Sequence, residues 1–297
     1  MSITLSRSSP VLAAADPPPA PEPPLPEKIA FLEPAEQLLA LAADFTRFHD
    51  LHLRHAVNGN RPADILTTQT AGVQALANSA LDIVTTLNTE SMYHSPVIRA
   101  VYARIRQLAH LATDAADHLI DADDILSHAQ AGLPMELGDG FLAIPSEQDA
   151  RQEIGHRFTL VAELTALGAF DAVATAEQYV AERRHYGYLP EHQPPALSRT
   201  QSSTLHAVAR GDVTISDGRP YHRREGVRFS ISTIRALETR GLITREDCQL
   251  WLVDERVHLS PAGRRDLAAS FAHPRPPALA TTRPAARRPT ASTTRAR

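Results

Sequence analysis

The chain has 297 residues, enough for two small domains with tails. Hydrophobic residues make up 43% and aromatics only 5%, so a core has to be built mainly from Leu, Ala, Ile and Val, a composition suited to helices. A single cysteine, Cys248, excludes an intrachain disulfide and a cysteine cluster for zinc and fits a reducing cytoplasm; no apolar run reaches the ~18 residues of a membrane span.

Charge is unevenly placed. Residues 1–194 carry 12 basic and 25 acidic side chains, a net of −13, whereas residues 195–297 carry 18 and 9, a net of +9. Without the last 25 residues the basic part is still +3 over 195–272. The mild overall balance of −4 therefore hides an acidic front and a basic back, and only the back suits an anionic partner. All basic residues except Lys28 are arginine, the habit of GC-rich bacterial genomes. Near the start, Val11 to Ala15 faintly mimics a signal peptide, but the stretch is short and bounded by Pro10 and Asp16.

Residues 1–27 include the dense proline run Pro17–Pro26, which reads as an extended, disordered arm. A first helix is expected from Pro34 to Val57 and a second from Pro62 to Asn88, the latter with Val73, Leu76, Ala80, Ile83 and Leu87 on one face. Ser95-Pro96 opens a third helix. Its apolar positions Val101, Ile105, Leu108, Ala112, Ala115, Leu119, Ala122 and Leu126 alternate by four and three, implying a long packing seam. Short connections make an antiparallel helical bundle the simplest architecture, with a homodimer or another protein partner as a second use of the long helix. After a glycine-containing loop from Gly132 to Gly140, Ser146 and Asp149 suggest a capping box for a helix from Glu147 to Leu167. Gly168 is read as its stop, and another helix is expected from Asp171 to Arg184. The acidic helical domain thus covers 28–186, and a proline-rich hinge covers 187–197, where the charge changes sign.

In 198–272, Ser198 and Gln201 form a capping-box pattern for a helix ending at Gly211. Val213–Ser216 and Arg219–His222 flank Asp217-Gly218, a strong hairpin signal, with Pro220 placing the second strand at an edge. Ser230 caps a helix to Arg240, with Ile231, Ile234 and Leu237 inward and Ser232, Arg235 and Thr239 on another face. A second hairpin is expected from Leu250–Val253 and Arg256–Leu259, and Ser260-Pro261 starts a last helix carrying Leu267 and Phe271. Residues 273–297, rich in Pro, Ala, Thr and Arg, read as a disordered basic tail.

The run Ile231 to Ile243, followed by Val257 to Arg264, resembles winged helix-turn-helix DNA-binding regulators over about a quarter of the chain. The fold class expected is therefore mainly α, a helical bundle followed by a small α+β winged-helix-like domain. In that family a further helix precedes the recognition helix; here Gly211 to Phe229 reads as a hairpin and loop. The resemblance implies duplex DNA as partner. Groove reading by short polar and Arg side chains, with Arg on phosphates, nominates Arg223, Arg224, Arg228, Ser230, Ser232, Thr233, Arg235, Thr239, Arg240, Arg256 and His258. The alternative is a helical interaction or adaptor protein that does not bind DNA.

Other constellations point to no chemistry. His49, His52 and His55 recur every three residues and read as a partly exposed helix face rather than a metal site. Glu153/His156 and Glu182/His185 match Glu-x-x-His, but the two further carboxylates of a di-iron site are not evident. Asp121, Asp123 and Asp124 lack the rest of a calcium loop. Phosphate-binding glycine loops and hydrolase elbows do not occur, so no enzyme, cofactor or small-molecule ligand is inferred. Cys248, Tyr221 and Trp251 read as structural.

Overall fold

The computed structural model describes residues 31–58, 63–89, 94–136, 142–222, 229–248 and 253–272. The predicted arm (1–27), the tail (273–297) and the segment holding Arg223, Arg224 and Arg228 lie outside the described residues, as do Leu250, Trp251 and Leu252.

The chain is mainly helical. Helices α1 (Glu33–Asn58), α2 (Ala63–Thr89) and α3 (Pro96–Ala131) are followed by a two-residue strand pair, β1 (Met135–Glu136) with β2 (Leu142–Ala143). Then come α4 (Glu147–Thr165) and α5 (Gly168–His185). The remaining elements are α6 (Arg199–Ala209), β3 (Val213–Ser216), β4 (Arg219–His222), α7 (Ile231–Thr239), β5 (Ile243–Asp247), β6 (Glu255–Leu259) and α8 (Pro261–Phe271).

Local chemistry sets most of these boundaries. The Ser95 side chain accepts the Ile98 amide hydrogen, Pro96 takes the first helical position, and Gly132 ends α3 in the left-handed region (φ 63°). Ser146 and Asp149 satisfy each other's amides, so the shorter Asp closes the capping box as Glu usually does. Ser198 with Gln201 does the same for α6. Asp217 and Gly218 both have positive φ, the signature of a type I′ turn, and join β3 to β4.

Helix α3 packs between α2 and α4, and α1 lies along α5 while touching α2 and α4. The seam from Val101 to Ala122 is buried throughout, as is the α2 face from Val73 to Leu87. The antiparallel sheet has the order β4-β3-β6-β5, which leaves β4 and its Pro220 at an edge. Val213, Ile215, Ile243, Val257 and Leu259 are buried on one sheet face, in a core shared with α6, α7 and α8. That core is continuous with the one inside α1–α5, and the described residues, which start at Phe31, form one compact unit.

Three local expectations are corrected. The strand paired with β6 is Ile243–Asp247, directly after the α7 turn, and not the apolar run at 250–253; Val253 itself is outside any strand. A charged strand such as Ile-Thr-Arg-Glu-Asp hides its pairing because its charged side chains find partners on other elements, Glu246 on Arg47 of α1 and Arg245 on Glu238 of α7 and Glu255 of β6. His49 and His52 do not form an exposed face: both are buried. His52 Nε2 donates to the Phe158 carbonyl and its Nδ1 meets the Gln69 amide group, each at 2.8 Å, while His49 Nδ1 lies 3.0 Å from Thr165 Oγ1. Gly168 begins α5 and does not stop α4. A Cβ there would sit 2.3 Å from the Phe45 ring, so this glycine permits α1 and α5 to cross closely.

Gly168→Ala should therefore lower stability by about 1–3 kcal/mol through overpacking against Phe45. Urea unfolding checks this; an unchanged midpoint would show that the helices can part at no cost.

Candidate nucleic-acid interface

Helix α7 is short, and burial of Ile234 and Leu237 fixes its orientation. Ser230 caps it: its Oγ accepts the Thr233 amide hydrogen at 3.2 Å and lies 2.8 Å from Ser232 Oγ and 2.9 Å from Thr233 Oγ1. Ser232, Arg235 and Thr239 are exposed, and Thr233 is half-buried. Thr239 Oγ1 donates back to the Arg235 carbonyl, and the Arg235 guanidinium forms no ion pair among the described residues. Glu238 shares the exposed side but is neutralised by Arg245 at 2.7 Å. Arg240 is exposed and donates to the Ala196 carbonyl at 3.3 Å, which ties the segment 187–197 to the end of α7. His192 of that segment reaches Asp266 of α8 at 2.5 Å.

Two nominated residues are elsewhere. Arg256 and His258 are buried, 5% and 3% exposed, so neither can meet a phosphate. The reason lies in the register. Thr214, Arg256 and Glu246 are cross-strand neighbours, as are Thr244 and His258, so these side chains share the sheet face opposite the apolar core. Helix α1 covers that face. Arg256 grips Asp50 with two bonds, Nε to Oδ2 at 2.7 Å and Nη2 to Oδ1 at 2.6 Å, and its Nη1 donates to the Gly211 carbonyl at 2.8 Å. Beside it Arg47 holds Glu246 through bonds of 2.8 and 2.6 Å and also reaches Asp44. Cys248 is buried, with its thiol 3.6 Å from Asp50.

Sequence reasoning missed Arg47, Asp50 and Glu246. No local signal exposes them, since Arg47 and Glu246 are 199 residues apart and Asp50 and Arg256 are 206 apart. The turn from α6 into β3 adds a further point of contact. Gly211 takes φ 70°, and a Cβ there would lie 2.4 Å from Thr46 Oγ1.

The electrostatics follow from this packing. The hydrogen bond to Glu246 raises the Arg47 pKa, and the same bond lowers that of Glu246. Burial is the main cause that pushes His258 down to about 4, against the pull of Glu246 3.5 Å away. A cleft of about 230 Å³ opens beside the ion pairs, also lined by Arg54 and Asp247. Its arginines and carboxylates nearly balance, so it has no strong preference for an anion.

No group of three or more His, Cys, Asp or Glu among the described residues is placed to hold a metal ion. Glu153 pairs instead with Arg157 at 3.1 Å, and Arg157 bridges to Asp121 at 3.0 Å.

Removing one partner of the buried pair strands the other. Asp50→Ala or Arg256→Ala should each cost about 3–5 kcal/mol in urea unfolding, while Asp50→Leu combined with Arg256→Met should recover most of that loss. Additive losses in the double variant would contradict this account. His258 supplies a pH signature. Its folded pKa is depressed, so its contribution is fully present above its ordinary value of 6.5 and is lost as pH falls towards about 4. The loss is on the order of 3 kcal/mol, and His258→Gln should flatten the stability profile over that window.

No protein-family model matches the chain, and no curated protein or solved structure matches it either.

Proposed function

We propose that the protein binds duplex DNA with α7 as the groove-reading helix and the β5–β6 hairpin as a wing, in a winged-helix-like arrangement, and that it serves as a cytoplasmic transcriptional regulator or a mobile-element accessory factor. The observation that carries this reading is the exposed face of α7. Ser232, Arg235 and Thr239 lie together on a helix whose opposite side is locked into the core, and Arg235 has no carboxylate partner among the described residues. Short polar groups around one free guanidinium suit the major groove, where Arg recognises guanine through two bonds. The strands support the reading as well: β3, β6 and β5 are adjacent and α7 runs directly into β5. The β3–β4 hairpin stands where the winged-helix family has its preceding helix. His222 on β4 packs edge-on against Phe229, just before the α7 cap, so the hairpin buttresses α7 as that helix would.

The nominated contacts reduce to Ser230, Ser232, Thr233, Arg235, Thr239 and Arg240 on α7 and its flanks, with Arg223, Arg224 and Arg228 retained as phosphate contacts on sequence grounds.

The full chain, titrated with a pool of random duplexes across a salt series, tests the proposal. Binding should weaken steeply with salt, and Arg235→Ala should reduce binding to the selected sequence by about 1–3 kcal/mol while affecting nonspecific binding less. Absence of salt-dependent binding to every duplex would overturn it.

A further inference from the structure

The outer face of α3 carries a second heptad pattern, distinct from the buried seam. Positions 99, 103, 106, 110, 113, 117, 120 and 124 alternate by four and three, and all eight are exposed. The first half of this stripe is basic and the second half acidic, with Arg99 and Arg106 in one and Asp117 and Asp124 in the other. The two halves are complementary under reversal. Rotation about a point between His110 and Thr113 carries Arg99 onto Asp124, Arg106 onto Asp117, and Ala103 onto Ile120. We infer that the protein forms a two-fold homodimer in which α3 packs antiparallel against α3 of a second copy.

Several independent features fit this partner. Arg99, Arg106, Asp117 and Asp124 form no ion pair among the described residues, whereas neighbouring acids off the stripe do: Asp121 is held by Arg157 and Asp114 lies 3.7 Å from His110. Ile120 is 42% exposed, and its counterpart under the rotation, Ala103, is small. A shallow groove of about 420 Å³ lies at Ala103, walled by Leu81 of α2, itself 49% exposed. The partner's Ile120 meets that groove, a knob entering a hole on each side of the axis. The alternation of three and four keeps the stripe facing its partner over about 38 Å when the helices supercoil. The same patch on both copies makes the contact isologous, as closed two-fold symmetry requires.

The dimer does not depend on nucleic acid, so it is tested on the free full-length chain by sedimentation equilibrium. At roughly 50 µM and low salt the wild type should be dimeric, and in ~1 M NaCl it should dissociate, since exposed ion pairs are screened. Arg106→Asp or Asp117→Arg alone should weaken dimerisation about tenfold or more, because each places like charges opposite one another twice. Mixing the two single variants should give a heterodimer, and combining both changes in one chain should restore the homodimer. Circular dichroism confirms that each exposed-site variant is folded. A wild type that stays monomeric in low salt overturns the inference, and so does a dimer indifferent to both reversals. A bond formed between chains by Ala103→Cys with Ile120→Cys under oxidation fixes the antiparallel register, and its absence in a dimer rejects that register.

Discussion

The clasp between Arg256 and Asp50 is the interaction on which the arrangement of the two halves depends. It sits on a sheet face that would otherwise be solvated, and it joins α1 to β6 across almost the whole chain. Such a pair is costly to desolvate, and its geometry has to be good to offset that cost. Here each carboxylate oxygen accepts one guanidinium hydrogen bond, and the third nitrogen is satisfied by the Gly211 carbonyl. Arg47 with Glu246 extends the clasp to β5 at a more exposed position. Two apolar faces could have sealed the same boundary with many alternative registers. A bidentate pair fixes one, because a shift of a single residue would turn Arg256 to the opposite sheet face.

This clasp also changes what the charge distribution means. The acidic front and basic back look in sequence like two surfaces of opposite sign. Part of that contrast is spent inside the molecule, with Asp50 on Arg256, Glu177 on His206 and Arg210, and Glu36 beside Arg265. Arg256 and His258 likewise lie buried under α1 and add nothing to a basic surface. The cationic character left for a partner is concentrated in fewer residues, with Arg235 the clearest.

What could be read from the sequence was short-range. Ser95, Ser146, Ser198, Ser230 and Ser260 each cap the helix they precede, because a cap needs only partners within three residues. The Asp217-Gly218 turn and the buried α3 seam were legible for the same reason. Strand β5 was not, because its alternation is polar on the side that meets α1. Gly168 was misread because a glycine required by a ring on another helix looks in sequence like one required by a turn. The inward nitrogens of His49 and His52 likewise depend on Thr165, Gln69 and Phe158, none of them nearby in the chain.

The same rigidity links the two proposals. One core runs without interruption from α3 through α1 and α5 to α7, and the α1–sheet clasp removes the freedom a linker would give. The inferred two-fold axis at α3 would therefore set both the separation and the relative direction of the two α7 helices. Two identical reading helices related by such an axis engage DNA as inverted half-sites, and a fixed separation admits only those spacings that bring both helices to the same side of the duplex. Loosening the clasp would act differently from altering Arg235. Under the two proposals it would leave the contact of each half-site intact while widening the range of spacings tolerated, so affinity for one half-site and discrimination between spacings would be separable.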